Sequence, residues 1–157
     1  MNPLDAQQRQ SNLLIFLGSI LFLLGLIVGL FVQNMTNPRM ALSAHLEGVM
    51  NGMLLIVLGL IWPKILLTAR WLIITFRLVL FGTYANITAV FIAAVTGYGK
   101  MMPIAGGLEG TAFWESAISL LLITLSLAMV AVGILVLLGF YKYMHQQETK
   151  TLPNMSD

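Results

Sequence analysis

Within the stretch "ALSAHLEGVMNGM", Ala41 to Met53, an imidazole (His45), a carboxylate (Glu47) and a carboxamide (Asn51) fall within seven residues. A second carboxamide, Asn86, lies in "GTYANIT", and a second carboxylate, Glu115, follows a glycine-rich segment. Imidazole can ligate a metal or carry a proton. A carboxylate can act as a general base, and carboxamides can orient a polar ligand by donating and accepting hydrogen bonds. All five residues sit in or beside apolar runs, where an ionisable group is costly unless it meets a partner, water or a ligand. The chain has no cysteine, which excludes disulfides, thiolate nucleophiles and iron–sulfur clusters. One such histidine without clustered acids cannot build a tetrahedral zinc site. It can supply the single protein ligand that iron in a four-nitrogen macrocycle needs.

The elements that must carry these groups are membrane spans. Of the 157 residues 59% are hydrophobic and only 9% charged, and the mean hydropathy is +0.91, outside the range of soluble domains. The apolar blocks predict helices over about 12–33, 41–62, 65–97 and 112–143, each long enough to cross a bilayer. A solvated, flexible tail is expected over 144–157, and the whole is one domain. Pro63 ends the second helix, and "TGYGKMMPIAGGLEGT" reads as a loop. The fold expected is therefore an all-α integral membrane four-helix bundle. Arg9, Lys64, Arg70, Arg77, Lys142 and Lys150 fall on the side of both termini, against Arg39 and Lys100 on the other. That bias places the N- and C-termini in the cytoplasm, as in a multi-pass protein of the bacterial inner membrane. The net charge of +2 comes without a basic run, so nucleic acid is not an expected partner.

Depth along the helices groups the polar residues. His45 lies roughly 6 Å and Asn51 roughly 15 Å into helix two at 1.5 Å per residue. Helix three runs the other way and brings Asn86 to the depth of Asn51, while Glu115 comes level with His45. These four are expected around one pocket in the outer half of the bundle. His45, Gly48 and Gly52 share a helical stripe, which leaves room beneath the imidazole for a flat ligand. Glu47 lies about 200° round from His45, on a stripe adjoining Asn51. Tyr84 is the one aromatic deep enough in its span to suspect at the site. Plainer readings stay open: Gly25xxxGly29 and Gly48xxxGly52 also have the spacing of close helix contacts, Asn51 and Asn86 can bond each other, and Glu115 can cap helix four.

The segments "AHLEGVMNGMLLIVLGLIWP" and "GTYANITAVF" resemble the membrane-embedded styrene oxide isomerase family, which carries A-H-x5-N-G-M on helix two and W-A-N on helix three. The opening "MNPLDAQQRQSNLLIFLGSILFLLG", followed by "SAHLEGVMNGM", is similar to the hydroxylaminobenzene mutases along nearly the whole chain. The resemblance implies a haem b held between subunits of a homotrimer, with His45 as axial iron ligand and Asn51 reaching the substrate. The family places a substrate-contacting tyrosine four residues after its W-A-N asparagine, and the corresponding residue here is Val90. On this reading the chain is a lipid-embedded isomerase that converts a small aryl hydroxylamine, hydroxylaminobenzene, to 2-aminophenol, with ferric haem as Lewis acid. Asn51, Asn86, Glu47 and Glu115 are its candidate catalytic residues, and His45, Gly48, Gly52 and Tyr84 its candidate cofactor contacts. The alternatives are an epoxide isomerase, a non-catalytic haem subunit and a purely structural bundle.

Overall fold

A computed structural model describes residues 3–106 and 108–151. Four helices follow in order: α1 Pro3–Leu30, α2 Pro38–Ile61, α3 Ala69–Thr96 and α4 Ala112–Thr151. All four are long and apolar enough to cross a membrane. Among the described residues there is no strand, only an isolated bridge between Tyr98 and Leu108. One end of the molecule carries the α1–α2 and α3–α4 connections (the loop end); the other carries the start of α1, the end of α4 and the α2–α3 connection (the terminal end).

The helix ends follow local chemistry. Asn37 caps α2, its side chain accepting from the Met40 amide at 3.2 Å, and Pro38 occupies the first turn, where no donor is lost. α2 ends at Ile61, and a 3-10 helix, Trp62–Lys64, carries Pro63 just beyond it. α3 starts at Ala69, later than the expected 65, because Ile65–Thr68 cross onto α4. There the Leu66 amide donates to the Gly139 carbonyl at 3.1 Å. α1 begins at Pro3 rather than near 12, since its polar first turns are anchored. Gln7 donates to the Trp62 carbonyl at 2.8 Å, Ser11 to the Gly59 carbonyl at 2.7 Å, and Gln10 accepts from the Trp62 indole at 3.1 Å. α4 continues through Thr151, so the tail expected from 144 is helical up to that point. The Thr149 hydroxyl donates back to the His145 carbonyl, and Tyr141 stacks on His145. Residues 152–157 of that tail lie outside the described residues.

α1 packs chiefly on α2, α2 on α3 and α3 on α4, an open array in which α2 is covered on two flanks. Two buried clusters fill it. Toward the terminal end, Leu14, Leu21, Leu55, Leu58, Trp62, Leu72 and Val79 surround a fully buried indole. Toward the loop end the cluster is built of smaller residues: Met40, Ala41, Ala44, Val90, Ala93, Ala94 and Ile118. Glu47 and Asn51 fall on α2 between Ala44 of one cluster and Leu55 of the other, so the polar groups occupy the seam between two apolar cores.

Candidate functional site

His45 is positioned by α1. Its Nδ1 lies 2.8 Å from the Gly25 carbonyl oxygen. A carbonyl only accepts, so Nδ1 carries the proton and Nε2 the lone pair. Such a bond fixes the tautomer and aim of a metal-ligating imidazole. Glycine makes the approach possible: a Cβ on Gly48 would lie 2.5 Å from the Gly25 Cα, and a Cβ on Gly29 would lie 2.6 Å from His45 Nδ1. Half-buried His45 lines an apolar groove of about 560 Å³ with Leu23, Leu26, Ile27, Leu30 and Leu42. The Gly25xxxGly29 spacing therefore does two things, bringing α1 onto α2 and clearing space for the ring. Gly25 was legible only as a packing residue; that its carbonyl holds the imidazole was not.

The stripe beneath His45 is occupied. Gly48 meets Gly25 and the Ile87 side chain, and a Cβ on Gly52 would lie 2.5 Å from the Phe22 amide nitrogen. Gly48 and Gly52 are thus helix-contact residues against α1, and the room for a flat ligand lies beside His45 in the groove rather than along this stripe. Tyr84 is placed elsewhere, its hydroxyl donating to the Leu17 carbonyl at 3.0 Å to tie α3 to α1.

On the other flank of α2, Glu47 gathers both asparagines. Glu47 Oε2 accepts from Asn51 Nδ2 at 3.2 Å and from Asn86 Nδ2 at 2.5 Å. The Asn86 bond spans two helices, tying α3 to α2. Asn51 is 9% exposed, and Glu47 and Asn86 are half-buried. The equal depth of Asn51 and Asn86 was readable from the sequence, but the two amides meet on Glu47 rather than on each other. Chemically the trio offers one carboxylate and two carboxamides at the seam of an apolar core.

Glu115 does not join them. Its two carboxylate oxygens accept the Lys100 amide at 3.1 Å and the Gly110 amide at 3.0 Å, so it staples the α3–α4 connection to the first turn of α4. Depth alone had levelled it with His45; the connection folds back and claims it. Val90 is 4% exposed, packed with Ala44, Ala93 and Ile118, and this chain leaves no space for a phenol there. Among the described residues no three His, Asp or Glu side chains converge on a metal-sized site.

The donor set fits the haem that the family resemblance implies: an imidazole with its Nε2 lone pair free, its proton held by a main-chain oxygen, and an apolar groove alongside.

The styrene oxide isomerase family profile matches residues 10–141. Hydroxylaminobenzene mutase HabB of Ectopseudomonas oleovorans is 49% identical over 128 residues, covering 80% of this chain and 78% of the relative. Hydroxylaminobenzene mutase HabA of the same organism is 45% identical over 127 residues, covering 80% of this chain and 94% of the relative. No solved structure matches the chain. With four apolar spans, a family match over most of its length and mutases among its relatives, the chain is a multi-pass membrane isomerase of the styrene oxide isomerase family.

Proposed function

We propose that this protein is a hydroxylaminobenzene mutase, moving the hydroxyl of an aryl hydroxylamine from nitrogen to the ortho carbon to give a 2-aminophenol, with haem b held by His45. The observation that carries the reading is the Glu47–Asn51–Asn86 trio, a polar set able to orient a small N–O substrate inside an otherwise apolar span. The identity to two mutases supports it, as does Val90 in place of the phenol that accompanies epoxide chemistry in the resemblance.

His45, Gly25 and the groove leucines are the residues that would hold the haem, whose ferric iron would supply Lewis acidity. Asn51 and Asn86 bind the hydroxylamine group and fix its direction relative to the ring. The apolar walls exclude water, so the hydroxyl returns to the ortho carbon before solvent intercepts the electron-poor arene. The reaction breaks one N–O bond, forms one C–O bond and moves no net electrons. As aromaticity returns, the ortho C–H proton leaves and the nitrogen regains one. Glu47 is the carboxylate placed to accept that proton, Glu115 being engaged with the connection.

His45 and Glu47 point about 160° apart around α2 at 3.6 residues per turn, one bonded toward α1 and the other toward α3. A single chain therefore separates ligand and trio, and we infer that a second copy brings its own trio to the groove, as a homotrimer would. The termini are assigned to the cytoplasm of a bacterial inner membrane on the excess of basic residues at their end.

The test is detergent-purified protein supplied with phenylhydroxylamine in ¹⁸O-labelled water. Formation of 2-aminophenol with little label supports internal transfer. Full label uptake overturns internal transfer. Absence of aminophenol, with phenylacetaldehyde formed from styrene oxide, transfers the protein to the epoxide reaction.

A further inference from the structure

An asparagine side chain has two ends of nearly equal shape, one accepting and one donating, and its neighbours decide which end faces where. Here one neighbour decides for both asparagines. Glu47 in its carboxylate form accepts only, so each amide must turn its NH2 toward Oε2. The reverse orientation would set lone pair against lone pair at these distances and forfeit two charge-assisted bonds. Both carbonyl oxygens, Asn51 Oδ1 and Asn86 Oδ1, are then turned away from Glu47. Among the described residues neither has a hydrogen-bond partner, nor does Glu47 Oε1. Among the described residues no enclosed side-chain oxygen or nitrogen lacks a partner, so these three oxygens reach accessible surface. Each amide keeps a second N–H.

We propose that Glu47 is a positioning and specificity residue: by setting the orientation of Asn51 and Asn86 it turns the site into a cluster of acceptors, selective for ligands that donate. This deepens the mutase reading and rests on the trio being the substrate site. An aryl hydroxylamine offers N–H and O–H to such a cluster. An epoxide or ether offers only lone pairs, which the acceptors repel. Selection against the epoxide thus arises from amide orientation, set by a residue that need not touch the substrate to act, in addition to any proton it accepts.

Phenol and anisole, alike except that methylation removes the donor, are the probes. Each is titrated into full-length detergent-purified protein, and the readout is the ratio of the anisole to the phenol dissociation constant. Glu47→Leu frees both amides to turn and lowers that ratio about tenfold, the worth of one hydrogen bond. Glu47→Gln, whose carbonyl still accepts both amides, keeps most of the wild-type ratio. Should Glu47→Leu fail to fold, Glu47→Asp, one methylene short of spanning both amides, lowers the ratio in its place. A ratio unchanged in the Leu or Asp variant, or both ligands weakened equally, overturns the proposal and leaves Glu47 a helix tie. Turnover of phenylhydroxylamine by wild type is scored separately. Its absence alongside a shifted ratio removes the mutase reaction and keeps the donor selection; turnover with an unshifted ratio does the reverse.

Discussion

On the proposed haem reading, His45 acts through Nε2. Because Nδ1 is spoken for by the Gly25 carbonyl, Nε2 is the only ring nitrogen with a lone pair to offer. His45→Ala is expected to abolish the Soret absorbance of the purified protein while the helical far-ultraviolet signal stays; a retained Soret band moves the ligand elsewhere. Val90 gives the opposite kind of expectation. It is buried among alanines and Ile118, so Val90→Tyr overpacks the cluster by about 1–3 kcal/mol and lowers the thermal midpoint. An unchanged midpoint would mean that the ring swings out of the cluster. At this scale the sequence was informative about which residues are costly in lipid, and about the depth of Asn51 and Asn86. It was silent on rotation between helices, which decides that Glu47 reaches across to α3. It was equally silent on the fold-back of the α3–α4 connection, which engages Glu115.

The helices themselves were readable where punctuation exists. Pro38 and Pro63 bound α2 within a few residues of expectation, whereas α1 and α4 run past their apolar blocks into polar residues and α3 starts later than its block. Helix faces were harder to read, for a physical reason. A face turned to lipid is as apolar as one turned to the core, so periodicity carries little information. Small residues carry it instead, and the α1–α2 contact is written in Gly18, Gly25, Gly48 and Gly52. Gly48→Leu should force α1 off α2 and cost about 1–3 kcal/mol or more, measured as a fall in thermal midpoint. Gly29→Ala should act more locally. Its methyl would occupy space held by His45 Nδ1, so haem content should fall while the midpoint changes little. Full pigment in that variant would show that the imidazole has another stable rotamer.

The whole molecule is an open array rather than a closed bundle, with large apolar side chains of α1 and α4 such as Phe16, Leu30, Leu127 and Leu137 exposed. That openness leaves flanks for lipid and for further copies, and on the proposed trimer ligand and trio come from different chains. Mixed assembly of His45→Ala and Asn51→Ala chains should then restore activity that neither possesses alone, because some sites pair an intact ligand with an intact trio. No recovery after verified mixing would confine the site to one chain. Subunit arrangement could not be read from the residues alone, since a contact between identical apolar faces leaves no pattern distinct from a contact with lipid.

The oxygen that holds the imidazole proton belongs to the main chain, at a residue with no side chain at all. Ordinary mutagenesis can delete a carboxylate that tunes a histidine, but it cannot delete this acceptor. Sliding or tilting one helix against the other changes that bond, which makes the spacing of α1 and α2 a tuning screw for the electron-donating strength of the ring.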